Sequence, residues 1–459
     1  MSLIKLLPSL LLVASSALHA TAATKTDVVT AAQSGQLAAR VKAETQRAWQ
    51  GYVKYAAGHD EIRPLSKEAH DWYARPLLMT PVDALDTLIV MGLADEAKQA
   101  RELIETKLSF DQDIYVKTFE ITIRHLGGLL SAYQLTGDKK LLELADDLGT
   151  RLLPAFDSPS GLPYVDVNLR TGKTRGTDSG PAESGTLLLE FGTLAKLTGK
   201  SIYYDKAKRA LVETYKRRSK LGLVGATFEV SSGQWTSPDS SVAGGIDSYY
   251  EYLYKCWRLF GDTDCKAMWE TSIKGLNAHV ADEVRKNELW YGHVDMNTGA
   301  RRASQWGSLD AFFAALLAVS GDIDRARRLQ ESNMKMWRLH GIEPESLDYR
   351  TMKALDASYS LRPEIVESAY YLRRLTGDGR YLSEGREMFE DFERWCRTDT
   401  GFAALTSVVT KQQKDSQESF LYAETLKYFY LLFAPDTALD FDAITFNTEA
   451  HPLRRTWKD

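Results

Sequence analysis

Apolar helical segments that open on a carboxylate, run about four turns and stop at a short turn recur along this 459-residue chain. The turn glycines Gly137, Gly199, Gly261, Gly321 and Gly377 follow one another at steps of 62, 62, 60 and 56 residues. A period near 60 is too long for one short-helix solenoid unit. It suits a pair of long helices with a loop, stacked so that neighbours bury each other's apolar faces. No linker rich in proline, glycine or serine interrupts the pattern, so one large closed domain is expected rather than the two or three that length alone suggests.

Seven segments are candidates for the inner helices: 81–93, 119–135, 182–197, 246–260, 305–319, 363–375 and 419–433. Each is apolar nearly all round, as expected of a helix packed on every side. The segments 139–153, 201–217 and 380–394 carry charge on one face and read as outer helices. The pattern predicts an all-α ring of seven helix pairs, or six if one segment lies outside. Residues 441–446 alternate like a strand and run into Asn447-Thr448-Glu449-Ala450-His451-Pro452, so a terminal hairpin could plug one end of the ring.

At the other end of the chain, Lys5, an apolar run from Leu6 to Val13, small residues and Ala20-Thr21-Ala22 read as a secretory signal with its cleavage site. The expected division is a signal over residues 1–22 and a single barrel over 23–459. The apolar run is too short to span a bilayer, and no cysteine follows it to carry a lipid anchor. Among three cysteines, Cys256 and Cys265 could pair. No Asn-x-Ser/Thr sequon occurs, which fits export from a bacterium, to the periplasm or beyond, better than a glycosylating pathway. A formal charge of -5 without a long basic run gives no reason to expect nucleic acid as a partner.

The first turns of the inner segments hold Asp83, Asp86, Glu120, Glu183, Asp247, Asp310, Glu364 and Glu367, and Glu418 and Glu424 accompany the last. Singly, each could serve the helix dipole for roughly 0.3–1 kcal/mol. Together they form a ring of carboxylates at the mouth of a mostly apolar barrel, which repels itself unless protons, cations or ligand hydroxyls intervene. Such a mouth suits a polyhydroxy ligand, a metal ion, or both. Glu120 and Arg124 stand one turn apart among Phe119, Ile121, Ile123 and Leu126. That places the pair out of water, and a desolvated pair usually has a task. Pro363 opens a helix whose first-turn N–H groups favour an ionised Glu364, the state required of a general base or metal ligand, although capping alone would also account for it. Zinc-ligand, EF-hand, phosphate-loop and Gly-x-Ser-x-Gly spacings are missing, which leaves a carboxylate mechanism such as a glycosidase uses.

Several strings resemble, in family order, those of glycoside hydrolase family 47, the class I α-1,2-mannosidases. They are Gly58-His59-Asp60-Glu61, the run 81–88, the run 119–138, 182–191, 247–252, 362–368, 418–433 and 446–453. The resemblance implies an (α/α)7 barrel closed at one end by a C-terminal β-hairpin. It implies an exo-acting, inverting α-1,2-mannosidase with Ca2+ at its −1 subsite. Glu120 would be the general acid, Glu364 the general base and Asp247 the third essential carboxylate. Arg124 would hold the acid, and Thr448 would ligate the calcium ion. Glu183, Glu367, Glu424 and Glu449 would order water around that ion. Phe420 would stack under the sugar, and Arg362 belongs to the same substrate-binding set. Two departures bear on substrate contacts. The stretch 306–315, with Ser308 and Phe313, lacks a family histidine and cysteine, and Gly245 stands where endoplasmic-reticulum members carry a branch-selecting arginine. Broader or shorter α-1,2-mannosides are therefore expected. The competing readings are a six-hairpin glycosidase acting on another glycan and a non-catalytic glycan-binding barrel.

Overall fold

The structure, a computed structural model, describes residues 28–286 and 288–457; the expected signal over 1–22 lies outside them. Among the described residues, seven inner helices alternate along the chain with seven outer ones. The outer set is α1 (Ala31–Ala56), α3 (Ala94–Lys107), α5 (Lys139–Leu152), α7 (Ser201–Lys216), α9 (Thr263–Gly275), α11 (Ile323–His340) and α13 (Arg380–Cys396). Interleaved with these run α2 (Met79–Val90), α4 (Gly127–Thr136), α6 (Leu188–Thr198), α8 (Asp247–Phe260), α10 (Phe313–Val319), α12 (Glu364–Thr376) and α14 (Leu426–Phe433). Four inner helices have irregular entries: Thr118–Leu126 before α4, Pro181–Gly185 before α6, Leu309–Phe312 before α10 and Leu421–Thr425 before α14.

The two sets differ in burial as their patterns predict. In α2 every residue from Met79 to Leu88 is buried, whereas α5 buries only the stripe Leu141, Leu144, Ala145, Leu148, Gly149 and Leu152. Fully burying a leucine contributes about 1.5–3 kcal/mol, so the stripe is enough to seat an otherwise solvated helix. The turn between inner and outer helix has a repeated chemistry. The five repeat glycines hold φ between 69° and 98°, the left-handed region that ends a helix. Asp138, Asp262, Asp322 and Asp378 follow four of them, and each accepts a backbone N–H of the next helix.

The opposite connections are long, and here the all-α expectation needs correction. Among the described residues they carry seven small antiparallel sheets; an eighth is the terminal hairpin after the last helix. Their strands stitch one connection to the next: Tyr115–Lys117 pairs with Asp166–Asn168, Asp178–Ser179 with Thr227–Glu229, and Gln305–Gly307 with Ser346–Asp348. A long loop must pair its backbone polar groups somewhere, and neighbouring loops around a ring are the nearest partners. Residues 305–307 are thus a strand, not the start of an inner helix. The predicted helix over 182–197 also breaks, because Thr186 leaves helical geometry (φ −99°, ψ 57°). Its hydroxyl bonds Ser248 at 2.8 Å.

The ring closes between the chain's ends. Ser34 of α1 bonds the Phe433 carbonyl at 2.8 Å, and Arg47 bonds the carbonyls of Thr398 (2.7 Å) and Gly401 (3.1 Å). Cys256 and Cys265 form a disulfide joining α8 to α9, and Ile444–Phe446 pairs antiparallel with Pro452–Arg454. A β-carbon at Gly51 would land on the Thr400 carbonyl, a backbone atom that cannot turn aside. Gly51→Ala is therefore expected to cost roughly 1–3 kcal/mol in chemical unfolding. An unchanged midpoint would show that α1 does not seat on the 398–401 loop.

Candidate active site

The inner helices all present their N-terminal ends to the face with the long loops, where a cavity of about 490 Å3 opens. Its wall brings together all eleven residues singled out above: Glu120, Arg124, Glu183, Asp247, Arg362, Glu364, Glu367, Phe420, Glu424, Thr448 and Glu449. Of the other first-turn acids, Asp83 and Asp86 lie fully buried behind the wall, and Asp310 accepts the Gly307 N–H at 3.1 Å. Glu418 turns to the Ser416 hydroxyl at 2.9 Å.

Arg124 organises one side. Its Nε donates to Glu120 Oε2 at 3.0 Å and its Nη1 to Glu449 Oε2 at 2.9 Å, with Asp83 Oδ2 at 3.5 Å. Arg124 sits in a π-turn, Thr122–Leu126, and Glu424 sits in another, Leu421–Thr425. The extra residue in such a turn re-aims side chains that regular helix would send elsewhere, which is why π-turns gather at functional sites. Across the cavity, Arg362 forms a two-oxygen pair with Glu345 at 3.0–3.2 Å. The Phe420 ring lies between the guanidinium groups, 5.9 Å from Arg124 and 5.5 Å from Arg362, a cation–π arrangement that fixes an aromatic face toward the cavity.

Desolvation governs the ionisation of the acids. Burial pushes Asp247 up to about 6, against hydrogen bonds from the Ser248 amide and hydroxyl. Burial also lifts Glu364 to about 8, although the nearby Arg362 charge opposes it, and one of its oxygens, Oε2, has no hydrogen-bond partner. The helix-end N–H groups were expected to keep Glu364 ionised; removal from water outweighs them. Glu367 reaches about 8 through burial and the Glu251 charge, and Glu424 rises through burial and the charge of Glu449. The side-chain groups of this wall able to ligate a cation are carboxylates and the Thr448 hydroxyl, an oxygen set that fits a hard cation such as calcium and does not fit a soft one. The trio Cys256, Asp262 and Cys265 also clusters, but its two sulfurs are joined to each other.

Behind the cavity lies a second charged group. Asp86 bonds His451 Nδ1 at 2.7 Å and Lys427 Nζ at 2.8 Å, all three side chains fully buried. Asn447 Nδ2 donates to the Ile123 carbonyl at 2.9 Å and to Glu190 at 2.7 Å. Tyr252 completes the group, donating to Glu190 at 2.6 Å. Sequence reasoning passed over Lys427, Asn447, His451 and Glu345. Lys427 carried a signal, a lone cation within the apolar run 426–433; Glu345 carried none, since its partner is set by a loop.

The profile of glycosyl hydrolase family 47 matches residues 44–455. The chain belongs to that family. It is a glycoside hydrolase. Alpha-mannosidase I MNS4 of Arabidopsis thaliana is 36% identical over 441 residues, covering 91% of this chain and 69% of the relative. The rat endoplasmic reticulum mannosyl-oligosaccharide 1,2-alpha-mannosidase is 36% identical over 438 residues, covering 88% and 66%. Among solved structures, the alpha-1,2-mannosidase from Trichoderma reesei superposes with a TM-score of 0.85 at 28% identity, covering 92% of this chain and 99% of that one. The helical barrel is thus the family's, with seven pairs rather than six. These relatives come from a plant, a mammal and a fungus, and lend no support to the bacterial source expected above.

The charged group behind the cavity sets a pH dependence. Burial alone would lower His451, but Asp86 and Asp83 outweigh it and lift it to about 9 from 6.5. Burial opposes ionisation of Asp86 too, yet Lys427 and His451 bring it down to about 2 from 3.8. The His451 contribution to stability is complete below pH 6.5 and lost as pH rises through 9. That of Asp86 is complete above pH 3.8 and lost as pH falls toward 2. Buried Glu364, raised to about 8, acts in the same direction as His451. The Tm of EDTA-treated protein should therefore fall between pH 5 and pH 9. A flat or rising Tm over that window would remove the charge from His451.

Proposed function

We propose that the chain is an exo-acting, inverting α-1,2-mannosidase that releases terminal α-1,2-linked mannose, with calcium at the −1 subsite. The observation that carries the reading is the meeting of Glu120, Asp247, Glu364 and Thr448 in one cavity. The mannosidase names of the relatives support it. In this reading the hairpin 444–454 closes the far end of the barrel and raises Thr448 into the cavity floor, so the cup admits a chain end and not a chain interior.

Glu120 serves as the general acid. Its side chain is 22% exposed and bound through Oε2 to Arg124, which holds the carboxyl at the mouth where a leaving sugar departs. Glu364 serves as the general base, taking a proton from the water that attacks the anomeric carbon on the opposite face. Acid and base roughly 6.5–9.5 Å apart leave room for that water and invert the configuration. Asp247 is the third essential carboxylate of the site, and Phe420 offers the ring on which the sugar rests. Thr448 would hold the calcium ion, with Glu183, Glu367, Glu424 and Glu449 around it. When bound, calcium supplies positive charge and open oxygen positions for vicinal hydroxyls. Gly245 has φ 87°, and a β-carbon there would meet nothing within 4 Å. The wall is therefore low on that side, in keeping with broader or shorter mannosides.

Proton NMR of α-1,2-mannobiose hydrolysis tests linkage and outcome together: β-mannose is expected first, and α-mannose first would exclude inversion. Glu364→Gln should lower kcat at least ~1000-fold while mannobiose still binds by calorimetry, because the amide cannot accept a proton. Wild-type turnover in that variant would take the base role from Glu364. Thr448→Ala should raise the calcium concentration needed for half-maximal activity about tenfold or more. A superimposable calcium titration would contradict the assignment.

A further inference from the structure

The turn that carries Thr448 is held in a conformation its own residues disfavour. Ala450 has φ 53°, the left-handed region that a residue with a β-carbon rarely adopts, and it is fully buried. Such geometry persists only when surrounding contacts over-determine it. Within the turn, Asn447 Oδ1 accepts the N–H groups of Glu449 (3.0 Å) and His451 (2.8 Å). From outside comes one further bond to Ala450 itself: Lys427 Nζ donates to its carbonyl at 2.6 Å.

Lys427 is an unusual choice for that place. Its side chain is fully buried on α14, two residues beyond the π-turn that carries Glu424, and its charge faces Asp86 Oδ1 at 2.8 Å. A neutral donor could have bonded the carbonyl. The charge requires Asp86, and Asp86 in turn grips His451 of the same turn through its other oxygen. One carboxylate from α2 and one ammonium from α14 thus hold the His451 side chain and the Ala450 carbonyl together, and neither belongs to the cavity wall.

We infer that Lys427, locked by Asp86, is a positioning residue for Thr448: it holds the strained Ala450 turn in the one shape that presents Thr448 to a cation. The inference rests on the proposed function, since it takes Thr448 as the calcium ligand. Because Lys427 binds the turn and not the sugar, its loss should appear as weakened cation binding, with turnover recoverable at high calcium.

The experiment is calcium titration by calorimetry on EDTA-treated full-length protein, with Tm and kcat measured alongside. Wild type is expected to bind one calcium ion. Lys427→Met should bind it at least tenfold more weakly, and kcat should return toward wild type at saturating calcium. Leu148→Ala, a buried position on the outer helix α5 and not in the hairpin, controls for general destabilisation. It should lose Tm and keep the wild-type Kd. If Lys427→Met does not fold, Asp86→Asn decides: it leaves an amide oxygen for Lys427 but removes the locking charge, and should weaken calcium at least threefold. An unchanged Kd in Lys427→Met, or in Asp86→Asn where that variant decides, overturns the positioning role. So does an equal loss in Leu148→Ala. A wild-type protein that binds no calcium overturns the proposed function instead, and is told apart by that result alone.

Discussion

The removal of many carboxylates from water into one cup is the constraint on which the rest of this structure depends. A buried carboxylate is tolerated only when it is paired, hydrogen-bonded or protonated. All three solutions are present. Arg124 takes Glu120 and Glu449, Arg362 takes Glu345, and Lys255 takes Glu251. Glu190 is hydrogen-bonded by Tyr252 and Asn447. Burial lifts Glu364 and Glu367 to about 8, which favours their protonated forms in the cation-free protein; the positive charge of a bound cation would return Glu364 to the ionised form that a general base requires. Few of these cations come from the same inner helix as all the acids they serve. The charges balance only when helices distant in sequence are assembled together.

That requirement explains why the ring and the hairpin belong to one folding unit. The carboxylates of α2 are satisfied by Lys427 and His451, more than three hundred residues later, and Arg124 reaches forward to Glu449. Leaving any of these unpaired would strand a charge in a site with no water to receive it, a loss of roughly 3–5 kcal/mol for a buried pair. The apolar stripes of the outer helices are interchangeable in kind; the buried charges are not. They select one register among the many in which seven similar helix pairs could close.

The sequence made the helical layers legible because an inner helix and an outer helix differ in how much of their circumference is apolar, and α2 and α5 show both patterns cleanly. The turns were legible through their glycines, and the aspartate after four of them adds a capping role that single-residue inspection passed over. The strands were not legible. Pieces of two to five residues such as Asp178–Ser179 have no periodicity to detect, and their partners lie in the next loop of the ring. The candidate site was legible as a set of first-turn acids, and the family resemblance brought Thr448 and Glu449 from the far end of the chain. The protonation of Glu364 was not, because a helix-end N–H group is local while desolvation is a property of the closed cup. Lys427 and His451 were missed for the same reason: each looks like an isolated polar residue until Asp86 is placed between them.

The same burial that burdens the fold gives the cup its chemistry. A carboxylate that titrates near neutral pH can exchange a proton within a reaction, whereas one left at its solution value is a poor acid and a weak base. The Oε2 of Glu364 has no protein partner, and neither oxygen of the neighbouring buried Glu343 has one. An oxygen left this way carries a desolvation cost in the free protein that a hydrogen-bonding ligand can relieve. A hydroxyl placed against it would meet less competition from solvent than the same group at the rim, because burial leaves that oxygen little exposure to water. Relief of that cost is available only to a ligand that reaches the bottom of the cup, which favours a compact polyhydroxy chain end over anything that binds at the rim.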